Sequence, residues 1–267
     1  MKYTEYFAMK QEPFINDIPT NKLLQLPATL SVKQRIDYLI KIGGIMVLTG
    51  DVGIGKSTAL RWALDQYHPA EVYSLNITAN SASTNELYKQ FCWQLKIDIK
   101  TSSKSYLIKY FKQAIQEIVN QQKCKIIIII DEASLLRTDI FAELHSVTQF
   151  NYDSKNLFSL ILAGQNSLLD KLKYRSSAPL ASRVVTRAHL SAISREQMDD
   201  YINHHLSIVG IKKNIFNDNA ISAIYQGSAG FLRKANLLAR GAIIACMIDK
   251  DNIINEEHVR RAATELI

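Results

Sequence analysis

The chain is short of cysteine, proline and acidic side chains, and it has no long apolar run. Its three cysteines, Cys92, Cys124 and Cys246, lie far apart without C-x-x-C spacing or a nearby histidine. That excludes a disulfide framework and a zinc site, and leaves buried reduced thiols. No stretch approaches the roughly 20 apolar residues of a membrane-spanning helix, and residues 1–30 lack the basic, apolar and small-residue regions of a secretory leader. The expected location is cytoplasmic, with no membrane partner. His204 and His205 are adjacent on an expected helix and so face different directions, a poor geometry for chelation. Metal binding other than magnesium is not expected. Three of the five prolines, Pro13, Pro19 and Pro27, fall in the first 30 residues, which read as an extended arm with turns. What remains is 267 residues with 47% hydrophobic content, enough for one large domain or a core with a smaller lid.

Residues 50–57 read Gly50-Asp51-Val52-Gly53-Ile54-Gly55-Lys56-Ser57, a G-x-x-x-x-G-K-S loop. The apolar run Ile45 to Thr49 precedes it and a helix-forming segment begins at Thr58. Strand, glycine loop and helix in that order form a nucleoside-triphosphate site. The glycines let successive N–H groups and a helix N-terminus point at phosphate oxygens, Lys56 reaches the β and γ phosphates, and Ser57 ligates magnesium. A second strand completes the pattern. Ile126 to Ile130 is an unbroken isoleucine run, suited to a strand buried on both faces of a parallel sheet, and it ends in Asp131-Glu132. Asp131 would hold magnesium directly or through water, and Glu132 would orient and polarise the attacking water, which argues for hydrolysis as well as binding.

The net charge of +7 is unevenly distributed. Residues 191–267 are balanced, with nine basic and nine acidic side chains, so the excess lies earlier. Residues 96–125 hold Lys96, Lys100, Lys104, Lys109, Lys112, Lys123 and Lys125 against Asp98 and Glu117. Residues 171–187 hold Lys171, Lys173, Arg175, Arg183 and Arg187 with no acid. Such stretches suit a nucleic-acid backbone or, equally, a solvated helix face.

Periodicity gives the architecture. Ser31-Val32-Lys33-Gln34 reads as a capping box for a helix running to Ile42, and 71–77 as a strand. Ser83 or Thr84 caps a helix with Leu87, Phe91 and Leu95 inward, and a longer helix spans about 104–121. Helix 138–150 and strands 157–163 and 184–190 follow; from Ser194 on, only helices are expected, with Gly210 and Gly227 at helix ends. The expected fold class is α/β: a phosphate-loop core with a parallel five-stranded sheet flanked by helices at 31–190, an arm at 1–30, and an all-helical lid at 191–267.

These residues resemble an AAA+ ATPase, more closely the ExeA (general secretion pathway protein A) type. The likeness runs from Tyr6-Phe7-Ala8-Met9 and Pro13-Phe14 through the loop at 50–57, Asp131-Glu132-Ala133 and Leu162-Ala163-Gly164-Gln165 to Gly230-Phe231-Leu232-Arg233-Lys234-Ala235-Asn236. It implies further roles. Residues Gly50 to Ser57 with Thr58 would bind ATP, and Gln165 would sense the γ phosphate. Arg183, or else Arg187, would reach a neighbouring subunit's site, and Arg233 would close the lid on nucleotide. Asn76, placed at the end of the second expected strand, resembles the polar residue that in related DNA-stimulated ATPases holds the catalytic glutamate inactive until ligand arrives.

Secretion proteins of this type continue into a membrane span and an envelope-facing part, whereas this sequence ends at Ile267, directly after the lid. The expectation therefore turns to the free-standing transposition regulators of the MuB, TniB and TnsC group. By that resemblance the chain would assemble as an ATP-bound ring or helical filament on double-stranded DNA, gripping phosphates without base specificity, and recruit a transposase. Lys100, Thr101 and Lys104 are the candidate DNA contacts. An assembly ATPase of a secretion machine and a helicase loader are the alternatives.

Overall fold

The computed structural model describes residues 2–80, 83–150 and 156–265. The chain divides into two units, one of residues 27–52 and 56–190, the other of residues 1–26, 53–55 and 191–267. The arm opens with a single helical turn, α1 (Tyr3–Tyr6). Beyond it Phe14 is 1% exposed among Met198, Ile202 and Phe216 of its own unit, so burial of an aromatic ring ties the arm down.

The α/β unit begins with α2 (Pro27–Ile42), four residues ahead of the expected Ser31 cap. Pro27 is tolerated as the opening residue because a helix leaves its first N–H groups unbonded anyway. Val32, Ile36 and Leu39 are its buried stripe. There follow β1 (Gly44–Gly50), α3 (Lys56–Asp65), β2 (Val72–Thr78), α4 (Thr84–Gln94), α5 (Lys104–Gln122) and β3 (Lys125–Asp131). Next come α6 (Thr138–Thr148), β4 (Phe158–Gly164), α7 (Ser167–Lys173), α8 (Ala178–Ala181) and β5 (Val184–Leu190). Ser83 caps α4, its hydroxyl accepting from the Glu86 N–H at 3.4 Å. Helices α7 and α8 were not expected; at seven and four residues they are too short for apolar periodicity to reveal.

The strands form one parallel sheet in the order β2-β3-β4-β1-β5. Ile126 to Ile130 are at most 2% exposed, as expected for an interior strand covered on both faces. The edge strands β2 and β5 instead alternate buried and exposed positions.

The helical unit holds α9 (Arg195–Ile208), α10 (Asp218–Ser228), α11 (Leu232–Ile248) and α12 (Glu256–Glu265). The expected capping box is present: Ser194 Oγ accepts from Gln197 N–H at 3.2 Å, and Gln197 Oε1 accepts from Ser194 N–H at 2.9 Å. Gly227, expected at a helix end, lies within the last turn of α10, and Ala229 takes the left-handed position at φ 51°. Gly230 follows at φ 77°, and a Cβ there would stand 2.5 Å from the Ile193 carbonyl, so this turn requires glycine. All three cysteines are buried and free of disulfides. No helix among the described residues is long and apolar enough to cross a membrane.

Candidate nucleotide site

Sheet register brings the two sequence motifs to one rim. Thr49 of β1 is level with Gly164 of β4, Leu162 of β4 with Ile130 of β3, and Thr78 of β2 with Asp131. The chain therefore leaves β1 into the glycine loop, β3 into Asp131-Glu132 and β4 into Gln165 at nearly the same height. Because β4 lies between β3 and β1, Gln165 sits about 5 Å to either side of them. The carboxyl ends of parallel strands, where neighbouring crossovers diverge, are the usual crevice for a ligand.

Lys56 opens α3 and is 5% exposed. Its ammonium donates to the carbonyls of Gly50 at 2.9 Å and Asp51 at 3.0 Å, folding across the loop. Ser57 Oγ donates to Asp131 Oδ2 at 2.5 Å, which joins the loop to the acidic strand end. The other oxygen, Asp131 Oδ1, accepts from the Glu132 N–H at 2.9 Å. Glu132 itself is left-handed, at φ 54° and ψ 31°, and begins a 3₁₀ turn over Ala133–Leu135. That conformation costs an L residue about 1–2 kcal/mol, so the carboxylate is held at this place against a local preference. A hydroxyl and a carboxylate that already meet are hard oxygen donors suited to magnesium, which takes few protein ligands and fills its octahedron with phosphate and water. Among the described residues no group of three or more His, Cys, Asp or Glu could hold a metal.

The turn after Glu132 is clamped from β4 and α7. A Cβ on Gly164 would stand 2.8 Å from Ser134 N, the Gln165 N–H donates to Ser134 Oγ at 3.3 Å, and Lys171 Nζ donates to the carbonyls of Ser134 and Leu136, both at 2.6 Å. Sequence reasoning missed Ser134 and counted Lys171 as part of a basic stretch. No pattern in the sequence reveals either, because their partners are backbone atoms 30 or more residues away in the chain.

Arg183 lies at the other end of the sheet. It precedes β5, whose far end Leu190 is level with Gly50, so about 20 Å of strand separates Arg183 from its own glycine loop. Its Nε donates to His145 Nδ1 at 3.1 Å on α6. Arg187 is exposed in mid-strand, and its carbonyl accepts from Arg35 Nε at 2.5 Å. Arg233, second residue of α11, is exposed, while its backbone N–H donates to the Gly53 carbonyl at 3.0 Å within the helical unit. Asn76 is not at a strand end: it pairs with Ile129 in mid-strand and is exposed, and Thr78 is the β2 residue level with Asp131.

The lysine-rich stretch does not form one patch. Lys104 is ion-paired to Glu143 at 2.6 Å, and Lys112 donates to the carbonyls of Ser146 and Gln149 at 3.2 and 2.9 Å, closing the end of α6. Burial holds the Lys112 ammonium below the usual lysine range. Lys100 lies 3.7 Å from Asp98 on the surface, and Thr101 Oγ1 accepts from the Ser103 N–H at 3.1 Å. Lys123 and Lys125 are beyond the far end of α5, about 28 Å along the helix from Lys104. The second stretch is divided likewise: Lys171 is the clamp, Lys173 pairs with Asp170 at 2.9 Å, and Arg183 contacts His145.

Comparison with known proteins agrees with this geometry. A family model described as an AAA domain matches residues 41–172, which contain the glycine loop, the acidic strand end and Gln165. General secretion pathway protein A of Aeromonas hydrophila is 28% identical over 99% of the chain and 48% of its own length. Residues 41–172 thus match the AAA family, and the chain as a whole is similar to the ExeA-like type. It spans about half the length of that relative. Among solved structures, the chain is similar to Cdc6p from Pyrobaculum aerophilum, with a TM-score of 0.72, 16% identity, and coverage of 95% of this chain and 70% of that one. Aeropyrum pernix ORC2, solved as ADPNP-ADP complexes, gives 0.71 at 16% identity, covering 94% and 71%. Aeropyrum pernix ORC1 in complex with DNA gives 0.69 at 16% identity, covering 95% and 68%. At these identities the solved structures establish a shared fold.

Proposed function

We propose that the rim formed by the ends of β1, β3 and β4 binds ATP with magnesium and hydrolyses it. The observation that carries this reading is the Ser57–Asp131 hydrogen bond, which sets the glycine loop and the acidic strand end around one point with Glu132 next in sequence. Loop N–H groups and the N-terminus of α3 receive the phosphates, and the Lys56 ammonium turns from the Gly50 and Asp51 carbonyls to phosphate oxygens. Magnesium, when bound by Ser57 and Asp131, neutralises phosphate charge. Glu132 accepts a proton from water as its oxygen bonds to the γ phosphorus and the bond to the bridging oxygen breaks. Gln165, between the two motifs, reads the γ phosphate.

Arg183, remote from its own loop, is the residue we assign to a second copy's site, with Arg187 as the alternative. Hydrolysis then requires assembly into a ring or filament. The substrate surface of that assembly is double-stranded DNA, held at phosphates, and the assembly recruits a transposase. The net charge of +7 and the outward-facing Lys96, Lys100 and Lys109 support this reading. The similarity to general secretion pathway protein A favours a second reading, an ATPase that builds a secretion apparatus through protein contacts alone. Duplex binding measured with ATP at several salt concentrations separates the two. The DNA reading expects log affinity to fall by about 0.9 per log salt for each phosphate contacted. Absent or salt-insensitive binding would leave the secretion reading.

A further inference from the structure

We infer that Lys171 is a positioning residue for hydrolysis, locking the turn that carries Glu132 to the strand end that carries Gln165. The proposal rests on the ATPase reading above. Four contacts from three residues of the β4–α7 segment converge on the turn: the close approach of Gly164 to Ser134 N, the Gln165 N–H to Ser134 Oγ, and the two Lys171 bonds. The turn needs such support. Glu132 is in a left-handed conformation that its own backbone disfavours, and the short 3₁₀ turn closes through Leu135 N–H to Glu132 O at 2.8 Å and Leu136 N–H to Ala133 O at 3.2 Å. The carbonyls of Ser134 and Leu136 receive the Lys171 ammonium instead, a charge-assisted pair of bonds in a part-buried setting.

Lys171 therefore does not belong to an outward basic surface. It makes Glu132 and Gln165, which follow the ends of different strands, move as one body, so that a shift at the γ phosphate felt by Gln165 is passed to the water-orienting carboxylate. A lysine serves because a single ammonium donates to two carbonyls while its stem crosses from α7 to the turn.

The test compares K171M, K171R and E132Q with wild type for Kd of a fluorescent ATP analogue, kcat for ATP hydrolysis, and Tm. K171M keeps the stem and removes the donors; it is expected to bind nucleotide within about twofold of wild type and to lose about tenfold to a hundredfold in kcat, the effect of a misplaced catalytic group. K171R, which can also donate to two carbonyls, is expected to restore kcat to within about fivefold. Should K171M not fold, S134A carries the test, with a kcat loss of about threefold to tenfold at unchanged Kd. An unchanged kcat in K171M, or in S134A if it stands alone, beside an inactive E132Q would overturn the clamp and leave the ATPase reading intact. Parallel loss of binding and turnover, or no rescue by K171R, would reduce Lys171 to a structural role and overturn it equally. Hydrolysis by E132Q at the wild-type rate would overturn the site itself.

Discussion

The rim of the sheet and the α4–α5 flank both look functional in the sequence, and the fold treats them oppositely. At the rim, residues separated by 74 positions, Ser57 and Asp131, meet at 2.5 Å because Asp131 ends β3 and Ser57 lies in the first turn of the helix that follows β1 at the same height. On the flank, lysines adjacent in sequence are scattered. Lys104 and Lys112 turn to partners on α6, and Lys123 and Lys125 lie beyond the opposite end of α5. A motif anchored to strand ends is carried to one place by parallel topology, whereas a count of charges carries no direction. Lys171 and His205 repeat the lesson. One is bonded to two backbone carbonyls, and the other is stacked on Phe14 with ring centroids 4.9 Å apart.

The contrast can be broken most sharply at the rim. K56A is expected to lose about a hundredfold or more in ATP affinity, measured by titration with a fluorescent analogue, because it removes the one buried cation of the loop. R183A is expected to retain ATP affinity and lose about a thousandfold in turnover at protein concentrations where wild type assembles; R187A serves as the control. Equal activity of R183A and wild type at every concentration would transfer the role to Arg187 or remove it.

Smaller effects test the residues whose chemistry the fold has turned inward. Burial, and then the neighbouring His204, lower the pKa of His205 to about 3. The folded protein leaves this imidazole neutral while the unfolded chain protonates it near pH 6.5, so the stability it contributes is full above that value and is lost as pH falls toward 3. Denaturant midpoints should drop by the equivalent of about 2 kcal/mol between pH 7.5 and pH 5, and H205F should lack that component. K112M should cost about 1 kcal/mol, a Tm decrease of a few degrees, since it removes the ammonium that donates to the Ser146 and Gln149 carbonyls at the end of α6. K109A should leave Tm unchanged and reduce the salt slope of duplex binding by about 0.9 if Lys109 meets a phosphate.

Much of this was legible beforehand. The strand–loop–helix order around 50–57 and the isoleucine run before Asp131 specify both a parallel sheet and the side of it that carries the chemistry, because alternating crossovers have one handedness. The Ser194–Gln197 box was likewise plain and the α4 cap was narrowed to Ser83 or Thr84, since a cap is a local exchange between side chain and backbone. What stayed hidden depends on tertiary contact. The left-handed Glu132, the clamp on Ser134 and the α6 role of Lys112 involve backbone atoms, which look alike at every position of a sequence. The same limit explains Asn76, whose place was misjudged by two residues: the register of Thr78 against Asp131 is a fact about pairing, not about β2 alone.

The most direct test of the rim as a hydrolytic site is single-turnover cleavage of radiolabelled ATP by wild type and E132Q under conditions where both are saturated. The geometry predicts that E132Q holds ATP as tightly as wild type and cleaves it at least about a hundredfold more slowly. Cleavage at the wild-type rate would contradict the role of Glu132 and the mechanism built on it.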